Sequence, residues 1–202
     1  MRLPHTLQES QFFTFDNVEE LIRALGAGLE EDEKKRIEAL SGMGLPPITS
    51  YEAVGVMIGV NPGLIWSFVS RRAKHYNVFR RRRGPGRPDR IITAPRVGLK
   101  VVQKWIACQL AKSFAPAEHV FGFVEGRSHI DAAMQHLNAR WVYSLDIEEF
   151  FPTTDIGAVI NGLLSIGYDE ASASVIADLT CFGGGLAQGA PSSPVLSNLA
   201  FS

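Results

Sequence analysis

The sequence predicts an α+β fold, and three observations carry that prediction. Apolar residues recur at helical spacing over residues 16–27, 30–41 and 97–114. Residues 78–95 place strand-like residues on both sides of Gly84-Pro85-Gly86, the pattern of a β-hairpin. Trp141 to Ile147 is a β-branched and aromatic run that reads as a buried strand, broken at Phe150-Phe151-Pro152.

In chain order, DNVEELIRALGA (16–27) is a helix with Asp16 as N-cap and Gly26 as stop. EEDEKKRIEALS (30–41) is a second helix, and 42–47 is a linker-like break. Residues 50–76 read as two short helices joined at Gly59–Pro62. That pattern suits a helix-turn-helix, but Leu64, Ile65, Phe68 and Val69 give the second helix an apolar face suited to packing. After the hairpin, Val97 to Phe114 is amphipathic, with Leu99, Val102, Trp105, Ile106 and Leu110 facing inward. HVFGFVEGR (119–127) reads as extended and 128–138 as a helix. The strand at 141–147 is followed by helices at 154–165 and 169–182 and by a last helix from about Ser192. The chain stops inside that helix, which leads us to expect a truncated or split protein.

Composition narrows the class. The chain has 202 residues, 46% hydrophobic and 20% charged, as in soluble globular proteins. No apolar run approaches the roughly 18 residues that span a membrane, and the N-terminus lacks the apolar core of a signal peptide. Cys108 and Cys181 are too few for a disulfide framework and read as small buried helix residues, so the expected compartment is the reducing cytoplasm.

Net charge of −1 conceals an asymmetry. Nine basic residues lie in 71–90: Arg71, Arg72, Lys74, Arg80, Arg81, Arg82, Arg83, Arg87 and Arg90. From Trp141 onward there is no Lys or Arg, whereas Asp146, Glu148, Glu149, Asp155, Asp169, Glu170 and Asp178 all fall there. The first region is suited to phosphate and the second to cations. An arginine run is often only a solvated surface. On a hairpin it presents planar guanidinium forks that bind phosphate bidentately. Asp146 ends the predicted strand, and a carboxylate there is costly to bury unless paired or bound to a metal. By itself it would equally read as a cap for the next turn.

Four blocks occur in a telling order: RIITAPRVGLKVVQKWI (90–106), HVFGFVEGRS (119–128), SLDIEEFFPT (144–153) and LAQGAPSSPVLSNL (186–199). Together they resemble the fingers and palm motifs of reverse transcriptases, with wording nearest the bacterial retron type. The resemblance covers about 55–202. It implies right-hand polymerase fingers and an incomplete palm behind a helical N-terminal extension. The domains would be 1–50 (extension), 51–140 (fingers-like, with the basic hairpin) and 141–202 (first half of the palm).

The resemblance also implies roles. Asp146 would be a catalytic carboxylate that holds Mg²⁺ together with the Ile147 carbonyl, in a two-metal site. Phe151 would be the ring that excludes a ribose 2′-hydroxyl, with Phe150 the better candidate for a core phenylalanine. Gln188 and Gly189 would face the incoming nucleotide, and Arg90 would grip its triphosphate with Arg82 or Arg83. Arg71, Arg72, Lys74, Arg80, Arg81 and Arg87 would serve nucleic acid. Expected partners are template and primer RNA, the DNA product and deoxynucleoside triphosphates, and a retron effector protein or the missing C-terminal half. No membrane is involved. Retron enzymes typically prime from a structured RNA, often in anti-phage defence.

Two departures stand beside this resemblance. The retron Asn-Ala-x-x-His block here reads Ala132-Ala133-Met134-Gln135-His136, without the Asn. The Tyr-x-Asp-Asp block is missing, and the sequence contains no Asp-Asp pair. Group II intron and diversity-generating reverse transcriptases share the blocks and remain alternatives. A catalytically inactive nucleic-acid-binding module is the alternative of another class.

Overall fold

The computed structural model describes residues 3–86 and 88–202. Arg87, one of the basic residues assigned to nucleic acid, lies outside the described residues. Three N-terminal helices, α1 (His5–Glu9), α2 (Val18–Leu25) and α3 (Glu31–Gly42), lead into α4 (Tyr51–Ile58), α5 (Pro62–Ser70) and the single turn α6 (Arg72–His75). The hairpin follows, β1 (Tyr76–Arg81) and β2 (Arg90–Pro95), then the long helix α7 (Val97–Ser113). The rest comprises α8 (His129–Met134), α9 (Phe150–Thr153), α10 (Ile156–Ser165), α11 (Glu170–Thr180), a two-residue hairpin of β3 (Cys181–Phe182) and β4 (Gly185–Leu186), and α12 (Ser193–Ala200). The mixture is α+β.

Local chemistry sets most boundaries. Ser50, Asp155 and Asp169 each accept a hydrogen bond from the backbone of the first helical turn. The cap of α2 is Asn17 rather than Asp16: the Asn17 side chain accepts from Glu20 N, while Asp16 N donates to the Glu20 carboxylate. Gly26 ends α2 at φ 78°, as predicted. Of the apolar face predicted for α5, Ile65 and Phe68 are buried, whereas Leu64 is exposed.

Helix α7 is the hub. Its five predicted core residues, Leu99, Val102, Trp105, Ile106 and Leu110, are all buried. The N-terminal segment packs on this helix. Phe13 meets Trp105 edge-on with centroids 5.5 Å apart, Trp105 Nε1 donates to Ser10 O (3.0 Å), and the Gln109 amide donates to Gln8 O (2.8 Å). One hydrophobic cluster runs from Leu3 through α7 to Leu199. Burying Trp105 completely contributes much of its strength; truncation of such a residue costs about 3–5 kcal/mol.

The predicted central strand is overturned. Residues 141–147 form no strand and are exposed, with Trp141 at 80% and Leu145 at 81%. β-propensity reflects fit to a pleated, half-buried surface, and among the described residues no strand lies beside this segment to accept its backbone groups. Residues 119–127 are likewise not extended but a string of turns. Arg127 gathers them by donating to the carbonyls of Ala117 (2.5 Å), Val120 (2.5 Å) and Pro116 (3.2 Å). The helix expected over 128–138 is shorter, ending at Met134, and begins with a Ser128–Asp131 capping box. Cys108 lies in α7 as expected but is only half-buried. Cys181 is buried in β3 rather than in a helix, because α11 ends at Thr180.

Candidate functional site

The hairpin register decides which arginines share a face. Directly opposed residues in an antiparallel pair point to the same side, and neighbours along a strand alternate. Arg81 is opposite Arg90 and Phe79 opposite Ile92, whereas Arg80 is opposite Ile91. Arg81 and Arg90 therefore project together, and Arg80 projects from the other face. On the Arg81 side, Arg81, Arg82, Arg83, Arg90 and Ile92 line an open groove of about 390 Å³. Sequence reasoning placed Arg82 or Arg83 beside Arg90 and grouped Arg81 with Arg80. The register brings Arg81 to Arg90 as well.

Gln188 and Gly189 dock on the free edge of β2. The backbone N–H of Thr93 donates to Gln188 O at 2.8 Å. With the Gln188 amide oriented to satisfy its neighbours, its nitrogen donates to Ile91 O (3.0 Å) and its oxygen accepts from Arg90 Nε (3.1 Å). Ile91 O and Thr93 N lie on one edge of the strand, so Gln188 completes the ladder as a third strand would. Gly189 makes the approach possible. It sits at φ 125°, and a Cβ there would come within 3.0 Å of Ile92 Cγ2 and 3.2 Å of Thr93 O. The structure thus joins residues picked from two separate blocks of the sequence, Arg90 from one and Gln188-Gly189 from the other.

The segment after Asp146 is tied to the β3–β4 hairpin, which leads into Gln188. Glu149, at φ 51°, starts α9. Leu186 N donates to Thr154 O (3.1 Å) and Ile156 N to Gly184 O (3.2 Å). Gly185 is pressed against this turn: a Cβ would lie 2.4 Å from Pro152 O and 2.8 Å from Thr154 O. Phe151 is half-buried and packs on the core, with Phe123 at 6.1 Å and Phe150 at 5.4 Å between ring centroids. Phe150 instead stacks on the exposed Phe201. The core-packed member of the pair is therefore Phe151, the reverse of the sequence expectation.

Asp146 and Ile147 are exposed, not buried at a strand end. Among the described residues no three His, Cys, Asp or Glu side chains gather as a metal site. Asp146 offers one carboxylate, and the residues here do not by themselves fit a two-metal centre.

The remaining basic residues divide. Arg72 is drawn into an ion pair with Asp178, which also accepts from Tyr51 Oη (2.5 Å). Arg72 therefore braces α6 against α11. Burial, with the Asp178 hydrogen bond, raises the Tyr51 pKa. Arg71, Lys74 and Arg80 are exposed. His75 is held below its usual pKa first by burial and then by the neighbouring charges of Arg96, Lys74 and Arg71. No helix among the described residues is long and apolar enough to cross a membrane.

Comparison with known proteins bears on the same region. No protein-family model matches the chain. It is 27% identical over 161 residues to the Retron Ec86 reverse transcriptase of Escherichia coli, covering 79% of this chain and 50% of that protein. It is 30% identical over 144 residues to the Retron Mx65 reverse transcriptase of Myxococcus xanthus, covering 69% and 34% respectively. Against the Retron Mx162 reverse transcriptase of the same organism it is 27% identical over 205 residues, covering 86% and 42%.

The chain is a relative of the retron reverse transcriptases. It matches half or less of the length of each of these relatives. The Gln188 turn and β2, which meet in the fold, belong to the last and the first of the four sequence blocks.

Proposed function

We propose that this chain carries the nucleotide-binding fingers and first catalytic carboxylate of an RNA-directed DNA polymerase of retron type. The observation that carries this reading is the docking of Gln188-Gly189 on β2, which fixes Arg90 at the edge of a groove lined by Arg81, Arg82 and Arg83. A triphosphate is multiply charged, and guanidinium forks on a hydrogen-bonded strand bind it with little reorganisation. The Gln188 amide, already paired to Arg90, holds that guanidinium in place. Phe151 would lie beneath the sugar and exclude a 2′-hydroxyl. Template and primer RNA would follow the exposed basic surface of Arg71, Lys74 and Arg80; Arg87 is assigned to nucleic acid on sequence alone.

Mg²⁺ belongs to this proposal as a cofactor for which Asp146 and the Ile147 carbonyl supply only part of the ligand set. A structured partner RNA, a retron effector, a C-terminal half, a cytoplasmic location and a role in anti-phage defence belong to it too. So does the division into an extension (1–50), fingers (51–140) and first half of a palm (141–202). A second reading, nucleic-acid binding without catalysis, draws on one specific observation: among the described residues no three His, Cys, Asp or Glu side chains gather as a metal site at Asp146 or elsewhere.

Templated primer extension on RNA with Mg²⁺ separates the two. The 202-residue chain is expected to be inactive. A form extended through a Tyr-x-Asp-Asp block, read from the frame beyond Ser202 or supplied from a relative, is expected to synthesise DNA and to lose that activity with Asp146→Asn. An extended form that binds RNA but makes no DNA would favour the binding-only reading.

A further inference from the structure

Gln103 is completely buried in α7, yet it is polar. A buried amide is tolerated when it is hydrogen-bonded. Its nitrogen donates to Tyr76 Oη and to Leu179 O, both at 2.8 Å. Its oxygen has no partner. Methionine would fill a similar volume without an orphan acceptor. The amide's contribution is two directional bonds rather than burial.

Those bonds reach two different limbs. Tyr76 opens β1 and is opposite Pro95, the last residue of β2, so it stands at the base of the arginine hairpin. Leu179 lies in the last turn of α11, where helix carbonyls lack intrahelical donors. Directly after it, β3 pairs with β4, and β4 leads into Gln188. The ring of Tyr76 also meets that of Phe182 in β3, with centroids 4.5 Å apart. One side chain therefore spans the base of the limb that carries Arg90 and the base of the limb that carries Gln188.

We infer that Gln103 is a positioning residue: it sets the distance between the hairpin and the Gln188 turn, and through it the Arg90–Gln188 contact at the mouth of the phosphate groove. This rests on the proposed phosphate-binding role of that groove. Gln103 touches no ligand. Its effect is on geometry, and small misplacements of binding groups carry large costs in affinity.

The test uses the 202-residue chain and inorganic tripolyphosphate, titrated calorimetrically, with amide hydrogen exchange read at Thr93. The Thr93 N–H donates to Gln188 O, so its protection reports the junction directly. Gln103→Met is expected to weaken tripolyphosphate binding by about tenfold and to speed exchange at Thr93. Tyr76→Phe removes one hydroxyl and moves both readouts in the same direction; it decides the matter if Gln103→Met fails to fold. Ile106→Val, buried on the same helix and with no hydrogen-bonding group to offer either limb, lowers the melting temperature and leaves both readouts unchanged.

Wild-type affinity and Thr93 protection in Gln103→Met, with binding weakened by Arg90→Ala, overturn the inference alone. Unchanged binding in Arg90→Ala overturns the phosphate reading, and Thr93 exchange then still decides whether Gln103 sets the junction.

Discussion

Arg90 and Gln188, from blocks far apart in the chain, are joined by a hydrogen bond of 3.1 Å from Arg90 Nε to the Gln188 side-chain oxygen. The contact takes up one guanidinium nitrogen of Arg90, a residue that also lines the groove. It also couples the position of a charged group to a turn whose backbone is pinned on the same strand.

Gly189→Ala should break this coupling. The new Cβ meets Ile92 and the Thr93 carbonyl, and φ of 125° is strained for any L side chain. We expect a loss of about 1–3 kcal/mol in stability, measured by denaturant unfolding, together with weakened tripolyphosphate binding. An unchanged unfolding midpoint would mean that the turn does not sit on β2.

The faces of the hairpin should separate in function. Arg81→Ala, opposite Arg90, should weaken tripolyphosphate binding more than RNA binding. Arg80→Ala, on the other face, should weaken RNA binding across most sequences. It should also make the log–log salt dependence shallower by about 0.7 for each single-strand phosphate that the protein ceases to neutralise. Salt titrations of both variants check this, and equal effects on both ligands would contradict the register.

Much of this was legible beforehand. The α7 core face followed from its period. The choice of Arg90, Gln188 and Gly189 came from block wording, which gave no sign that the three would touch. Three things were hidden. The run 141–147 has strong β-propensity, but propensity does not supply the neighbouring strand that pairing needs. The Phe150-Phe151 dipeptide reads the same in either order, and only packing assigns Phe151 to the core. Gln103 lay inside the first of the four reverse-transcriptase-like blocks, in a Gln-x-Trp-Ile run, but nothing in that wording showed that its amide would join two limbs. A polar residue on a predicted buried face was the available clue.

Alkaline pH should destabilise the fold. Burial pushes the Cys181 thiol from 9.0 up to about 11 and, despite the Gln103 hydrogen bond, the Tyr76 phenol from 10.0 up to about 12. Groups whose pKa is raised by folding favour the folded state below the unfolded pKa, and that advantage is lost as pH climbs through the folded value. Thermal stability should therefore hold at neutral pH and decline between about 9 and 12. At neutral pH, iodoacetamide should label the half-buried Cys108 well before Cys181. Equal labelling rates would contradict the burial of Cys181.

Phe151 tests whether one ring serves two purposes. It packs on the core, so Phe151→Val should lower the melting temperature. If the ring also excludes the 2′-hydroxyl, the extended form of this variant should incorporate ribonucleotides more readily in direct competition with deoxynucleotides. Lowered stability with unchanged sugar selectivity would leave Phe151 a packing residue only.

The most direct test of nucleotide binding at the Arg90 groove is steady-state kinetics of RNA-templated DNA synthesis by the extended form, wild type against Arg90→Ala, with RNA affinity measured in parallel. The Michaelis constant for deoxynucleotides should rise by about tenfold or more, the cost of one charge-assisted phosphate contact, while RNA affinity stays within about twofold. An unchanged Michaelis constant with weakened RNA binding would contradict the assignment of the groove to the nucleotide.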